Sequence, residues 1–112
     1  MSGAHDLDSV GVLPAVLDDA DVGEALVLRY VEPVRTASSG EAILAGVQAW
    51  LDAGMHTGRA ATQLFVHPNT LRYRIRRYQQ LAAVDLTDPA EALKAWWALQ
   101  RFAATRGGGA TR

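Results

Sequence analysis

The sequence contains no cysteine among its 112 residues, which excludes disulfide bonds and thiolate metal sites. Its three histidines are scattered and lack the spacing of metal ligands. No apolar run approaches the roughly 20 residues of a membrane-spanning helix, and the polar, acidic start does not resemble a signal peptide. We therefore expect a cytoplasmic protein that makes no membrane contact and needs no cofactor.

Catalytic motifs are also missing. The sequence has no P-loop, no G-x-S-x-G, no H-E-x-x-H and no credible pair of catalytic carboxylates. The acidic cluster at residues 18–21 lacks the spacing and the later glutamate of a calcium loop, so helix capping and solvation explain it better. We expect no enzymatic activity.

The charges are unevenly distributed, although the formal net charge is only -1. Residues 1–41 hold eight acidic and two basic residues, whereas residues 53–80 hold five arginines and no acidic residue. An acidic first third repels nucleic acid. Any contact with a polyanion should therefore be confined to the middle segment.

Alanine, leucine, arginine and glutamine dominate, and proline and glycine punctuate them. This pattern predicts an all-α helical bundle of about five or six helices. We predict a helical segment and linker over residues 1–40, a compact domain over 41–104 and a disordered tail over 105–112. The predicted helices are one or two turns at 10–17, then 21–32, 41–53, 57–64, 68–82 and 89–104.

Four of these helices have start signals. Asp21, Thr57 and Asp88 are predicted N-caps. His67 is a further predicted cap, because Pro68 suits the first helical position, where a missing N–H costs nothing. His67 could instead contact phosphate, and His56 is predicted to be a loop residue.

The tryptophans favour core packing, because their spacing matches the buried faces of the helices. Trp96 and Trp97 are adjacent, so they cannot both face the same way. One of them must meet a neighbouring helix or a second subunit. A small-molecule pocket is the alternative interpretation of these rings.

The segment 68–82 is amphipathic on a wheel of about 100° per residue. The apolar side carries Leu71, Ile75, Tyr78 and Ala82. The opposite side carries Asn69, Tyr73, Arg76, Arg77 and Gln80, with Thr70, Arg72 and Arg74 on the flanks. Arginine can grip phosphate or guanine, and Asn and Gln can bond adenine edges, so this face has the residue types that meet DNA.

The preceding short helix carries Ala60 and Ala61, which allow close approach of a second helix. Two helices joined by a tight turn form a helix-turn-helix, whose second helix enters the major groove. A solvated helix face is the simplest alternative, but surface helices usually mix charges of both signs. A helical module that docks an acidic protein partner is the competing functional hypothesis.

The run AATQLFVHPNTLRYRIRR at residues 60–77, followed by Leu81 and DLTDP at 85–89, resembles the C-terminal helix-turn-helix domain of the PucR family of bacterial transcriptional regulators, which includes the CdaR-like regulators. The resemblance covers about residues 41–104. It implies sequence-specific DNA binding and an upstream sensory segment in the full protein, where any small-molecule effector would be sensed. On this basis we expect the chain to be a piece of a larger regulator. Family members often have arginine where this chain has Pro68, so the resemblance implies that one possible phosphate contact at the helix start is missing.

We therefore predict a DNA-binding helix over residues 68–82, acting as a homodimer because one such motif covers only a few base pairs. Leu64, Val66, Leu71 and Ile75 should hold the two helices of the motif together. The predicted contacts to base edges or nearby phosphates are Asn69, Tyr73, Arg76 and Arg77. The predicted phosphate contacts are Thr70, Arg72 and Arg74, with Arg59 on the preceding helix and His67 at the turn.

Overall fold

The computed structural model describes the backbone of residues 20–111 and the side chains of residues 22–104. Within this range the chain forms six helices and no strand. They are α1 (Ala20–Tyr30), α2 (Glu32–Arg35), α3 (Gly40–Asp52), α4 (Thr57–Leu64), α5 (Pro68–Ala82) and α6 (Pro89–Thr111). The predicted all-α fold is confirmed. The turns predicted at residues 10–17 lie outside the described residues.

One hydrophobic cluster joins all six helices. Leu71 and Leu99 are completely or almost completely buried in it, and so are Val31 and Val34 from the acidic first third. Residues 20–35 therefore share a core with residues 41–104, although the sequence analysis assigned them to a separate segment. No helix in the described range is long and apolar enough to cross a bilayer.

Helix α1 packs along α6 in the opposite direction. Near its C-terminal end the Tyr30 hydroxyl donates a hydrogen bond of 3.0 Å to Glu91 Oε1, at the start of α6. Near its N-terminal end Gly23 lies so close to Arg101 that a Cβ there would be 2.9 Å from the guanidinium. The N-terminal helix thus packs along the last helix from about Glu91 to Arg101.

The start and end of the N-terminal helix differ from the sequence prediction. Helix α1 begins at Ala20, so Asp21 lies within it rather than at its cap, and it ends at Tyr30. A separate turn of helix, α2, follows and contains Pro33, which was expected to end the first helix near Glu32. Proline is tolerated there because the first turn of a helix has no N–H partner to lose.

The last helix begins as predicted, because the Asp88 carboxylate accepts a hydrogen bond of 3.0 Å from the backbone N–H of Ala90. It runs to Thr111 and so passes the end predicted at Ala104, into the residues that were expected to be a disordered tail. Adding a residue to an existing helix costs far less than starting one, and Ala103 and Ala104 are good helix formers.

The tryptophans are half-buried, so the prediction of core packing holds only in part. Trp96 donates its indole N–H to Asp52 Oδ1 at 2.7 Å. Trp97 packs edge-on against Trp96, with 5.2 Å between the ring centroids. Trp50 packs against the core from α3.

Candidate nucleic-acid interface

Helices α4 and α5 are both capped by histidine. His67 Nδ1 accepts a hydrogen bond of 3.0 Å from the backbone N–H of Asn69, which confirms the predicted cap. His56 Nδ1 accepts the same kind of bond, also 3.0 Å, from the N–H of Arg59. An unprotonated imidazole nitrogen is an acceptor like the oxygen of a serine cap, so each histidine satisfies one free amide of its helix.

The prediction that Thr57 caps α4 is wrong, and so is the loop assignment of His56. Thr57 is the first helical residue, and its hydroxyl accepts a hydrogen bond of 3.2 Å from the indole N–H of Trp50. This contact ties the start of α4 to α3. The sequence did not indicate the cap at His56, because histidine is not among the residues that commonly cap helices.

The turn between α4 and α5 is short and tightly bonded. Phe65 adopts the left-handed conformation, with φ 57° and ψ 42°, and the N–H of Val66 donates to the carbonyl of Ala61 at 3.0 Å. Ala60 and Ala61 are essentially completely buried, as expected for small residues where two helices approach closely. Leu64 and Val66 are half-buried and pack against the core.

The two sides of α5 are arranged as the helical wheel predicted. The side chains of Leu71, Ile75, Tyr78 and Ala82 are buried. Gly46 of α3 allows this close packing, because a Cβ there would lie 3.2 Å from Leu71 Cδ1. The helix therefore rests on α3 and α4 by one side and presents the other side outward.

The outward side carries the predicted contact residues. Tyr73 is 55% exposed. Arg74 and Arg77 are half-buried, and the remaining predicted contacts, Arg59, His67, Asn69, Thr70, Arg72 and Arg76, are exposed. The structure thus brings the whole predicted set to α4, α5 and the turn between them.

Two of these residues orient each other. Arg72 Nη1 donates a hydrogen bond of 2.6 Å to Asn69 Oδ1. This bond leaves the side-chain amide of Asn69 as a donor at the N-terminal end of α5. The capping bond of His67 has a similar consequence, because a neutral ring that accepts at Nδ1 carries its proton on Nε2. That N–H is then a donor for a ligand.

Several acidic side chains of the described residues have partners away from the arginines of α5. Asp52 accepts hydrogen bonds from Trp96 and Gln100. Glu32 pairs with Arg35 at 2.8 Å. The partners of Asp52 and Glu32 thus lie away from α5. Because α5 itself contains no acidic residue, its outward side retains its cationic character.

The C-terminal end of α5 is held by contacts that the sequence did not indicate. The Arg29 guanidinium donates hydrogen bonds to the carbonyl oxygens of Ala82 and Ala83, the second at 3.2 Å. The buried Tyr78 hydroxyl donates to the carbonyl of Tyr30 at 2.8 Å. A cation at the C-terminal end of a helix is favourable because it meets the negative end of the helix dipole. Helix α1 therefore holds the C-terminal end of α5.

A short helix, a three-residue turn and a longer helix packed on a third one define a helix-turn-helix domain. The chain belongs to the PucR C-terminal helix-turn-helix domain family, which matches residues 43–100. This is a family of transcriptional regulators and not a class of enzymes, and the resemblance noted in the sequence is confirmed.

Known proteins of related sequence agree with this assignment. An uncharacterized protein of Mycobacterium tuberculosis is 36% identical over 78 residues, which are 70% of this chain and 18% of that protein. The proline-responsive transcriptional activator PutR of Bacillus subtilis is 38% identical over 50 residues, 45% of this chain and 12% of PutR. The chain thus spans less than a fifth of the length of these relatives.

The fold is also found in a solved structure. The crystal structure of a regulator of polyketide synthase expression from Bifidobacterium adolescentis superposes with a TM-score of 0.64 at 31% sequence identity. The superposition covers 78% of this chain and 36% of that one.

Proposed function

We propose that the chain is the sequence-specific DNA-binding part of a bacterial transcriptional regulator, with α5 lying in the major groove. The observation that carries this proposal is the outward side of α5, which holds four arginines between residues 72 and 77 while its inward side is buried. Four close arginines repel one another, and a polyanion offsets that repulsion. A DNA duplex is the ligand that fits a rod of this kind.

The residues divide into two roles. Asn69, Tyr73, Arg76 and Arg77 point from the middle of the outward side toward base edges or nearby phosphates. Thr70, Arg72 and Arg74 flank them, where the two backbones of the groove pass. Arg59 and the Nε2–H of His67 reach the backbone from α4 and the turn.

The domain acts as a homodimer in the cytoplasm, on a palindromic or repeated operator. One helix-turn-helix reads only a few base pairs, so useful specificity needs two copies, with half-sites about 10 base pairs apart. Residues 41–104 contribute the interface with DNA, and residues 20–35 support it. An effector, where one exists, acts through another part of the full protein.

Selection of duplexes from a random pool tests this function. We expect one sequence to be enriched, and its binding to weaken steeply with salt. Replacing Arg72 by alanine should lower affinity for all duplexes and reduce the salt slope by about one unit. Replacing Arg76 by alanine should relax the sequence preference at one position, at a cost of about 10-fold.

Lys94→Ala is the matched control, because it removes the same charge from α6. It should leave affinity, slope and preference unchanged. If no sequence were enriched and the double change Arg76→Ala and Arg77→Ala left duplex affinity untouched, an acidic protein partner would replace DNA as the ligand of α5.

A further inference from the structure

A polar cleft of about 370 Å³ lies between the turn before α3 and the outward side of α5. Its walls are Ser38, Ser39, Ala42 and Ile43 on one side and Thr70, Tyr73, Arg74 and Arg77 on the other. It therefore combines four hydroxyl groups with two guanidinium groups, and none of the lining residues is acidic. Such a combination suits a small anion with several acceptor oxygens.

The arginine wall of the cleft is held in place by α3. A Cβ at Gly46 would lie 3.4 Å from Cδ of Arg74, so the aliphatic stem of this arginine rests on the helix where a side chain is missing. The stem is packed while the guanidinium remains at the cleft. An arginine anchored in this way loses less conformational freedom on binding than one that extends freely into solvent.

The serine wall is also rigid. A Cβ at Gly40 would lie 2.1 Å from the carbonyl oxygen of Val34, so the turn leaves no room for a side chain at this position. Ser39 occupies the N-cap of α3 with φ 60°, and its hydroxyl makes no capping hydrogen bond. The hydroxyl oxygen of a serine at this position usually accepts a hydrogen bond from a free backbone N–H in the first turn of the helix. Here the hydroxyl remains available to a ligand in the cleft.

The acidic residue nearest in sequence, Glu41, interacts electrostatically with another cation, Arg35. Glu32, and to a lesser extent Glu41, raise the pKa of Arg35. The charge of Glu41, which directly precedes the lining residue Ala42, is therefore partly balanced by Arg35.

We propose that this cleft seats one phosphate group of the DNA backbone, with Arg74 and Arg77 supplying the charge and Ser38, Ser39 and Thr70 donating hydrogen bonds. The inference rests on the proposed function and sharpens it in two ways. It adds two serines to the interface, and it assigns Arg77 to the backbone, whereas Arg76 remains free to read a base. A phosphate seated against α3 also fixes the depth and register of α5 in the groove.

Neutralising the DNA phosphates one at a time tests whether the cleft binds one of them. The selected duplex is made with a single uncharged methylphosphonate at each backbone position in turn. The unchanged protein should lose about 10-fold in affinity when the seated phosphate is neutralised, as expected for a lost charge-assisted hydrogen bond. One such position is expected in each half-site.

The matching protein change is Ser38→Ala combined with Ser39→Gly, since glycine accepts the positive φ of residue 39. This variant should bind the intact duplex about 10-fold more weakly. It should also lose less affinity than the unchanged protein when the methylphosphonate stands at the seated position, because only the two arginines and Thr70 still contact that phosphate, while keeping its full sensitivity elsewhere. Arg77→Gln should behave in the same way, and a thermal melt of each variant establishes that it is folded.

Arg76→Gln is the control, because it removes one charge from the neighbouring position of α5. It should keep full sensitivity at the seated phosphate. The opposite result is that the serine variant and Arg77→Gln lose as much affinity from the methylphosphonate at the seated position as the unchanged protein does. That result would overturn the inference but leave the proposal of DNA binding intact. Failure to bind any duplex would overturn the proposed function and this inference together.

The phosphate could also come from solution. Inorganic phosphate is therefore exchanged for chloride at constant ionic strength. Millimolar phosphate should leave duplex binding unchanged. A backbone phosphate is held in the cleft by the rest of the bound duplex, whereas a free phosphate ion lacks those additional contacts. A saturable displacement that Arg77→Gln abolishes would assign the cleft to a free anion and overturn the assignment to DNA.

Discussion

Tyr78 shows how a side chain of α5 can belong to the core while the other side of the same helix faces outward. It is completely buried, and its hydroxyl donates to the carbonyl of Tyr30. The Tyr30 hydroxyl in turn reaches Glu91 at the start of α6. Three helices are thereby connected through two phenols, and a buried polar group in such a chain is costly to leave without its partner.

Replacing Tyr78 by phenylalanine should lower the free energy of unfolding by about 1–2 kcal/mol, because the Tyr30 carbonyl is left buried without that bond. Urea denaturation measures the change. Tyr73→Phe serves as the control, since Tyr73 is 55% exposed and its loss should cost less than about 0.5 kcal/mol. Equal effects of the two changes would contradict the role assigned to Tyr78.

The same network predicts sensitivity to alkaline pH. Burial, helped by the hydrogen bond to Glu91, raises the pKa of Tyr30 to about 12. The phenol of an unfolded chain has a pKa of about 10. The folded state therefore holds the proton more tightly, so this contribution to stability is complete below about pH 10 and is lost as the pH rises toward about 12.

The free energy of unfolding should consequently fall with pH over that range, and the fall should be shallower in the Tyr30→Phe variant. Urea titrations at a series of pH values would measure both slopes. Identical slopes in the two proteins would show that Tyr30 does not carry the effect.

The ends of α5 illustrate how a single element is stabilised. Its start is prepared locally, by a proline and by the His67 cap. Its end is completed from outside, by Arg29 of α1. Ala83, the residue after the last turn, takes a left-handed conformation with φ 56°. That geometry favours glycine, because a Cβ is strained there.

Replacing Ala83 by glycine should raise the free energy of unfolding by about 0.5–1 kcal/mol, since it relieves that strain. Ala45→Gly provides the opposite case, because Ala45 is exposed in the interior of α3. That change should cost about 0.5–1 kcal/mol. Thermal or urea unfolding distinguishes the two signs, and destabilisation by both changes would contradict the strain at Ala83.

Arg29 is expected to matter for the last turn of α5 rather than for the whole chain. Replacement by methionine keeps much of the packing but removes both hydrogen bonds, at a cost of about 1–2 kcal/mol. Amide hydrogen exchange should then speed up in the last turn of α5. Lysine at this position should recover part of the protection, because it restores the charge without the two-pronged geometry.

At the scale of the whole molecule, α1 and α2 are part of the fold and not a linker to it. Tyr30, Val31 and Val34 are buried in the shared core. Burying three such side chains contributes about 5–9 kcal/mol. That sum is close to the whole stability of a small domain, roughly 5–15 kcal/mol.

A chain shortened to residues 41–104 should therefore lose its cooperative unfolding transition, whereas one spanning residues 20–112 should keep it. Circular dichroism melts of both would decide. A cooperative transition in the shorter chain, at a temperature close to that of the longer one, would restore the boundary that the sequence analysis placed at residue 40.

Much of this architecture follows from the sequence alone. The apolar and charged positions of α5 repeat with the period of a helix, so the sequence was enough to divide its two sides and to place its limits at residues 68 and 82. The family resemblance rests on the same short run. The cap at Thr57 was misassigned because either of two neighbouring residues can satisfy the same free amide. The helix that contains Pro33 was missed because proline fits the first turn of a new helix as well as it ends an old one.

What the sequence by itself determined is local: the starts of α5 and α6, the helix periodicity, and the acid-free cationic side of α5. The tertiary structure alone decided which distant residues support that side. Arg29 reaches the end of α5 from 53 residues away, and Ser38 and Ser39 meet Arg74 and Arg77 across a cleft. The reason is physical, because helix periodicity acts between residues three or four apart, whereas the packing of one helix on another depends on every side chain between them.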